Sequence, residues 1–328
     1  LVVDWVSWRI LIADLQRAYD QRRAGDPITL PPRTDSFKDW AEAVTGTADS
    51  PDLVREKAWW AALSQGDGLR LPFAHIPPDS ADLVADARTA TVTAPADLTT
   101  ALLGPANSAY ATETVDLLLA GLARAARGLA GAGRLVVVLE GHGREAELST
   151  LDVSRTVGWF TTLYPVAFDL DDTGDAGRQV RTVKDSLRAV PRRGVSYLAL
   201  LDRPDGISEA PAQIAFNYLG RLELAEQRAD GIGFELAPEE AGPAISPQAR
   251  RPVPLEMLAS VTDGRLHVTL TYNQRHANQG DITAFLDAYL SALADIGAHC
   301  LTTRGVTTAS DLSWSGLADE DLDTLFDQ

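Results

Sequence analysis

The sequence predicts an α/β protein in which mixed sheets are flanked by helices. Three observations carry that expectation. Segments at helical spacing alternate with short β-branched runs along most of the 328 residues, the pattern of layered α/β folds. One run, Leu135-Val136-Val137-Val138-Leu139, is apolar at every position, so it belongs in a strand covered on both faces. Further on, the runs 255–261 and 266–272 flank Asp263-Gly264, a pair that tolerates the positive φ of a tight hairpin turn.

The elements follow in order. Residues 1–8 read as the end of a strand running into a helix. Ile10, Leu11, Leu15 and Ala18 give that helix an apolar face, and Gly25-Asp26-Pro27 stops it. A chain that opens in mid-strand looks like a fragment of a larger unit. Ser36 begins a short helix with Phe37, Trp40 and Ala43, and Ser50-Pro51 caps another through Trp59, Trp60 and Leu63; these three tryptophans read as packing residues. The Gly-, Pro- and Asp-rich stretch 65–82 suggests a boundary, with 1–78 forming one unit and its connector and 79–328 the other. A strand at 88–93, a helix at 94–103 and a long helix at 112–130, closed by Gly131 and Gly133, lead into the buried strand at 135–139. Then come a strand at 165–170, an amphipathic helix at 176–190, a helix or strand at 196–201 and a strand at 213–221. The hairpin, a strongly apolar helix at 281–300 and a short acidic helix after Ser310, around Asp319-Glu320-Asp321, complete the chain.

Composition excludes several functions. A formal charge of −17 opposes nucleic-acid binding, which needs a basic face to neutralise phosphates. No apolar run approaches the roughly 18–20 residues of a bilayer span, and no basic-then-apolar leader opens the sequence, so no membrane is expected and a cytoplasmic location is the default. Cys300 is the only cysteine, and His75, His142, His267, His276 and His299 are scattered, so no metal site is expected. No glycine-rich phosphate loop is present.

The chemistry centres on Glu140. A buried strand delivers its carboxylate to a turn loosened by Gly141 and Gly143, where substrate can approach closely. Desolvation there would raise its pKa toward working pH, as a general acid/base requires. The plain alternative is a turn residue paired with Arg144 or Arg155. His142 reads as packed or solvent-facing.

Residues 140–145 spell E-G-H-G-R-E, and residues 155–165 fit R-T-V-G-W-F-T-x-x-Y-P. Pro191, Gly194 and Tyr197 fit P-x-x-G-x-x-Y, residues 216–221 spell F-N-Y-L-G-R, and Asp4 with Val6-Ser7-Trp8-Arg9 fits the end of an H-H-x-x-x-D-G motif. In this order they resemble the signatures of epimerization domains of nonribosomal peptide synthetases. The resemblance runs from the first residues to Arg221.

It implies a chloramphenicol-acetyltransferase-like fold, two α/β lobes in a V with the active site between them. On this division 1–78 is the remainder of the N-terminal lobe with the connector, and 79–328 is the C-terminal lobe. The implied activity is inversion of the Cα of an aminoacyl or peptidyl thioester. The substrate rides on the 4′-phosphopantetheine arm of a peptidyl carrier protein, and the domain itself binds no cofactor. The carrier protein, other synthetase domains or a downstream condensation domain are the implied partners. Glu140 is then one of two proton-transfer groups on opposite faces of the substrate. His142, Arg144, Trp159, Asn217 and Tyr218 are cleft candidates, and Asp4 is structural, salt-bridged to Arg144 or Arg155. Two departures stand out. The motif's histidines fall immediately ahead of Leu1, so the partner group and most of the N-terminal lobe are expected to be missing from this chain. Trp5 occupies a glycine position, where an indole is expected to change the backbone or fill the channel, compromising activity. A carrier-docking module without activity, and an amide-forming condensation domain of the same fold, remain the alternatives.

Overall fold

The computed structural model describes residues 2–46, 51–65, 68–77, 80–144, 150–170, 174–201, 206–221, 239 and 242–311. Glu145 and the acidic tail around 319–321 lie outside these residues. Among the described residues the first element is a helix, α1 (Trp5–Ala24), and residues 2–4 ahead of it form no strand. Its N-cap is Asp4, whose carboxylate accepts from the Ser7 backbone N–H at 2.7 Å; side-chain capping overrides the β propensity of the preceding valines. Gly25, at φ 79°, closes the helix. Ile10 is buried, but Leu11 and Leu15 of the expected apolar face are exposed. The helix is held at its first turns instead.

Next come α2 (Phe37–Gly46) and α3 (Pro51–Leu63). Phe37 and Trp40 pack on Phe160 with ring centroids 5.0 and 4.8 Å away, while Trp60 is buried and donates to Ser196 Oγ at 3.1 Å. In the Pro- and Gly-rich stretch that follows, Leu71, Phe73 and Ala74 belong to the hydrophobic core.

Among the described residues that follow, the strands form one six-stranded sheet. Its strands are β1 (Ala87–Thr93), β2 (Gly133–Gly141), β3 (Thr162–Leu170), β4 (Ile214–Arg221), β5 (Leu255–Thr262) and β6 (Arg265–Asn273), in the order β1-β6-β5-β4-β2-β3. The central pairs β2/β4 and β4/β5 are parallel and the outer pairs antiparallel. Helices α4 (Ala96–Leu103), α5 (Thr114–Ala130), α6 (Ala176–Arg188), α7 (Val195–Leu201) and α8 (Gln279–Thr302) complete the layers. Sequence left 196–201 as helix or strand; it is helical.

Register explains the core. Leu139, Phe216, Met257 and Leu270 lie level across four adjacent strands, and all four are buried. Val136, on the other face of β2, is buried as well, so the unbroken apolar run is covered on both sides for most of its length. Asp263 and Gly264 turn the hairpin with φ of 51° and 69°, the left-handed pair that a two-residue turn needs. Among the described residues no helix is long and apolar enough to cross a membrane.

Candidate active site

The ends of β2 and β4 make the site. Leu139 pairs with Phe216 in parallel register, which brings the next residues, Glu140 and Asn217, side by side. Asn217 Nδ2 donates to Glu140 Oε2 at 2.5 Å. Both line a cleft of about 430 Å³. Leu139, Phe216 and Tyr218 form its apolar wall, and Glu113 and Asp116 at the start of α5, Arg188 at the end of α6, Tyr164 and Arg193 supply its polar side. Asp116 is fully buried and held by Arg188 through two bonds of 3.1 and 2.7 Å.

Glu140 reaches this open cleft, yet packed protein atoms weaken its hydration. That desolvation, reinforced by the negative charge of Glu256, holds its carboxyl above the usual glutamate range. Burial likewise raises the Tyr218 hydroxyl. Arg144 and Arg155, the two arginines that could have paired with Glu140, are both engaged elsewhere. The plain reading of Glu140 as a turn residue paired with one of them is therefore not what the structure shows.

Arg144 sits in a different constellation. Its guanidinium, 6% exposed, meets Asp4 at 2.6 Å. It also donates to Ser7 Oγ and to the Thr156 carbonyl, each at 3.0 Å, and lies 4.0 Å over the Phe160 ring. Asp4 accepts further bonds from the Ser7 and Phe160 backbones. Burial works to raise the Asp4 carboxyl, but the bonds from Arg144 and Ser7 outweigh it and hold it below the usual range. Of the two arginines that sequence offered, Arg144 is the partner of Asp4. Arg155 pairs instead with Asp14, farther along α1, at 2.5 Å. The two motif arginines thus clamp two turns of one helix.

The glycines of the turn serve that clamp. Gly143 has φ +66°, and a Cβ there would fall 1.7 Å from the Phe160 carbonyl oxygen, so no side chain fits. His142 is exposed, and its Nδ1 accepts from the Arg144 backbone at 3.1 Å. Trp159 is 48% exposed. Expected at the cleft, His142, Arg144 and Trp159 are not among its lining residues: Asp4 and Phe160 draw Arg144 into the clamp, and the turn presents the other two to solvent. Trp5 is the first residue of a regular helix, a position with no need for left-handed φ, so its indole changes no backbone there. It does not line the cleft around Glu140 either.

Sequence reasoning missed Glu113, Asp116, Arg188 and Arg193. The first three reach the cleft only because two helix termini converge on it, which no spacing encodes. Arg192 and Arg193 both adopt left-handed φ, 43° and 48°. Gly194 follows at φ +86°, where a Cβ would strike the Tyr164 ring at 2.0 Å. Arg192 is drawn aside to Glu56 at 2.8 Å, and Arg193 lines the cleft. Among the described residues no cluster of three or more metal-ligating side chains occurs.

The condensation-domain family model matches residues 1–312, and the chain belongs to that family. It is similar to large synthetases that carry such domains. It is 36% identical over 338 residues to tyrocidine synthase 2 of Brevibacillus parabrevis, and 36% identical over 332 residues to bacitracin synthase 3 of Bacillus licheniformis. Those matches cover 100% and 99% of this chain but only 9% and 5% of the relatives, so the chain spans less than a tenth of their length. Among solved structures it is similar to the epimerization domain from the third module of tyrocidine synthetase B, with TM-score 0.81, 35% identity and coverage of 92% of this chain and 68% of that one. The first condensation domain of the calcium-dependent antibiotic synthetase shares the fold at TM-score 0.66 and 18% identity, over 92% of this chain and 63% of that one.

Proposed function

We propose that the chain carries an epimerase site centred on Glu140. In this reading it inverts the Cα of an aminoacyl or peptidyl group held as a thioester on a carrier protein's phosphopantetheine arm. The observation that carries the proposal is a cleft carboxylate with raised proton affinity, hydrogen-bonded to Asn217 and paired with neither motif arginine. The likeness to a solved epimerization domain at 35% identity supports the same reading.

The chemistry follows from the thioester. Breaking the Cα–H bond sends its electron pair into the carbonyl, and the proton forms an O–H bond on Glu140. Delivery of a proton to the opposite face then completes inversion, and by the resemblance that donor is a histidine of the motif whose aspartate is Asp4. In the reverse direction protonated Glu140 is the donor. A carboxyl shifted upward is better matched to both tasks near neutral pH than an ordinary one. Asn217 holds the Glu140 side chain, and Tyr218 contributes to the cleft wall.

The experiment is to present an L-aminoacyl carrier protein to the natural protein in D2O, then hydrolyse the thioester and analyse the amino acid by chiral chromatography and mass spectrometry. Deuterium at Cα together with D-product is expected. Amide formation with an acceptor carrier and no deuterium uptake would assign the domain to condensation. Carrier binding with neither reaction would make it a docking module.

A further inference from the structure

On the face of the sheet that carries Glu140 and Asn217, a second carboxylate stands two strands away. Ala215 on β4 pairs with Glu256 on β5, and Val138 on β2 pairs with the same Ala215. Side chains two apart on a strand share a face, so Val138, Glu140, Ala215, Asn217 and Glu256 all stand on one side. Two strand spacings with a two-residue offset separate the Glu140 and Glu256 backbones by roughly 12 Å. Only Ala215 and Asn217, both uncharged, intervene on β4.

Glu256 is held where it is. Its carboxylate accepts from Arg251 Nε at 3.2 Å. Arg251, with a side chain 2% exposed, spends its other donors on the carbonyls of Pro254 and Thr271, each at 3.0 Å. It also faces Asp82 at 3.5 Å. One guanidinium therefore serves two carboxylates, and this group retains a net negative charge beside Glu140. We propose that Glu256, anchored by Arg251, is a positioning residue for proton transfer, acting through Glu140 without touching the substrate. The proposal rests on the proton-transfer reading of Glu140 given above.

The electrostatics agree in sign. After desolvation, Glu256 is the further cause that raises the Glu140 carboxyl. The other charged or titratable groups around the cleft are Glu113 and Asp116 from α5, Arg188 from α6, Arg193 ahead of α7, Tyr164 from β3 and Tyr218 from β4. Arg188 is committed to Asp116. A like charge favours the protonated carboxyl, so removing it should let Glu140 ionise at lower pH.

The test is Glu256→Gln, which removes the charge and keeps an acceptor for Arg251. The Glu140 side-chain carboxyl is followed by carbon NMR against pH, assigned by its loss in Glu140→Gln, and the acidic limb of Cα exchange is recorded beside it. Both are expected to move to lower pH together. If Glu256→Gln does not fold, Glu256→Thr replaces it, an uncharged residue suited to a part-exposed strand position, and the same downward movement is expected. An unmoved Glu140 titration overturns the inference. An active Glu140→Gln instead overturns the proton-transfer reading and leaves the NMR result to stand separately.

Discussion

Asp4→Ala is expected to destabilise the attachment of α1 by about 3–5 kcal/mol, the range for removing one partner of a buried ion pair. The structure accounts for that magnitude. Loss of the carboxylate leaves the Arg144 guanidinium, 6% exposed, without its counter-charge. It also removes the helix N-cap, a contribution of about 1 kcal/mol. The Phe160 N–H that donates to Asp4 at 3.1 Å loses its acceptor, an unsatisfied group costing about 1–3 kcal/mol. These contributions overlap, so they are not summed beyond the ion-pair range. Urea unfolding followed by tryptophan fluorescence reads the change, since Trp5, Trp8 and Trp159 lie in or beside the clamp. The double variant with Arg144→Met should recover part of the loss, because no charge is then stranded. The Asp4 carboxyl is depressed in the folded state, so its contribution is full above the unfolded aspartate value and is lost as pH falls through the folded one. A change under about 1 kcal/mol in Asp4→Ala, or equal losses in the single and double variants, would refute the clamp.

Three further outcomes follow from the same geometry. Arg155→Ala, breaking a pair whose side chains are about one-third exposed, should change stability by no more than about 1 kcal/mol in the same urea assay, far less than Arg144→Ala. Gly143→Ala should be severely destabilising because its Cβ meets a carbonyl, whereas Gly220→Ala, at φ +69° with open space around it, should lose only about 1–2 kcal/mol from the left-handed backbone; comparable melting temperatures for the two would contradict this. Asn217→Ala should leave folding intact and slow Cα exchange, since it frees the Glu140 side chain to leave its bonded position.

Much of the fold was legible because its signals are local. The unbroken apolar run of β2, the Asp-Gly turn, the glycines that close α5 and the proline that starts α3 each state their own conformation. Val2 and Val3 misled for a local reason too: they suit a strand, but the Asp4 carboxylate captures the Ser7 amide and starts a helix. Long-range pairing was less accessible. Arg144 and Arg155 offer the same group to Asp4, and only the folded chain shows Arg144 meeting Asp4 and Arg155 meeting Asp14. Glu140 and Asn217 lie 77 residues apart, and a parallel register brings them into contact. The cleft's other wall depends on where α5 starts and α6 ends in space. The motif letters marked Glu140 for the cleft and Asp4 for a structural pair, but they left Arg144 among the cleft residues and did not say which arginine meets Asp4.

The most direct test of the Glu140 assignment is Cα proton–deuterium exchange on a carrier-bound aminoacyl thioester, comparing the natural protein with Glu140→Gln. The substitution keeps the size of the side chain and its bond to Asn217 while removing the titrating group. Loss of exchange by about 10²–10⁴-fold is expected, with carrier binding and melting temperature unchanged. Exchange at the natural rate in Glu140→Gln would contradict the assignment.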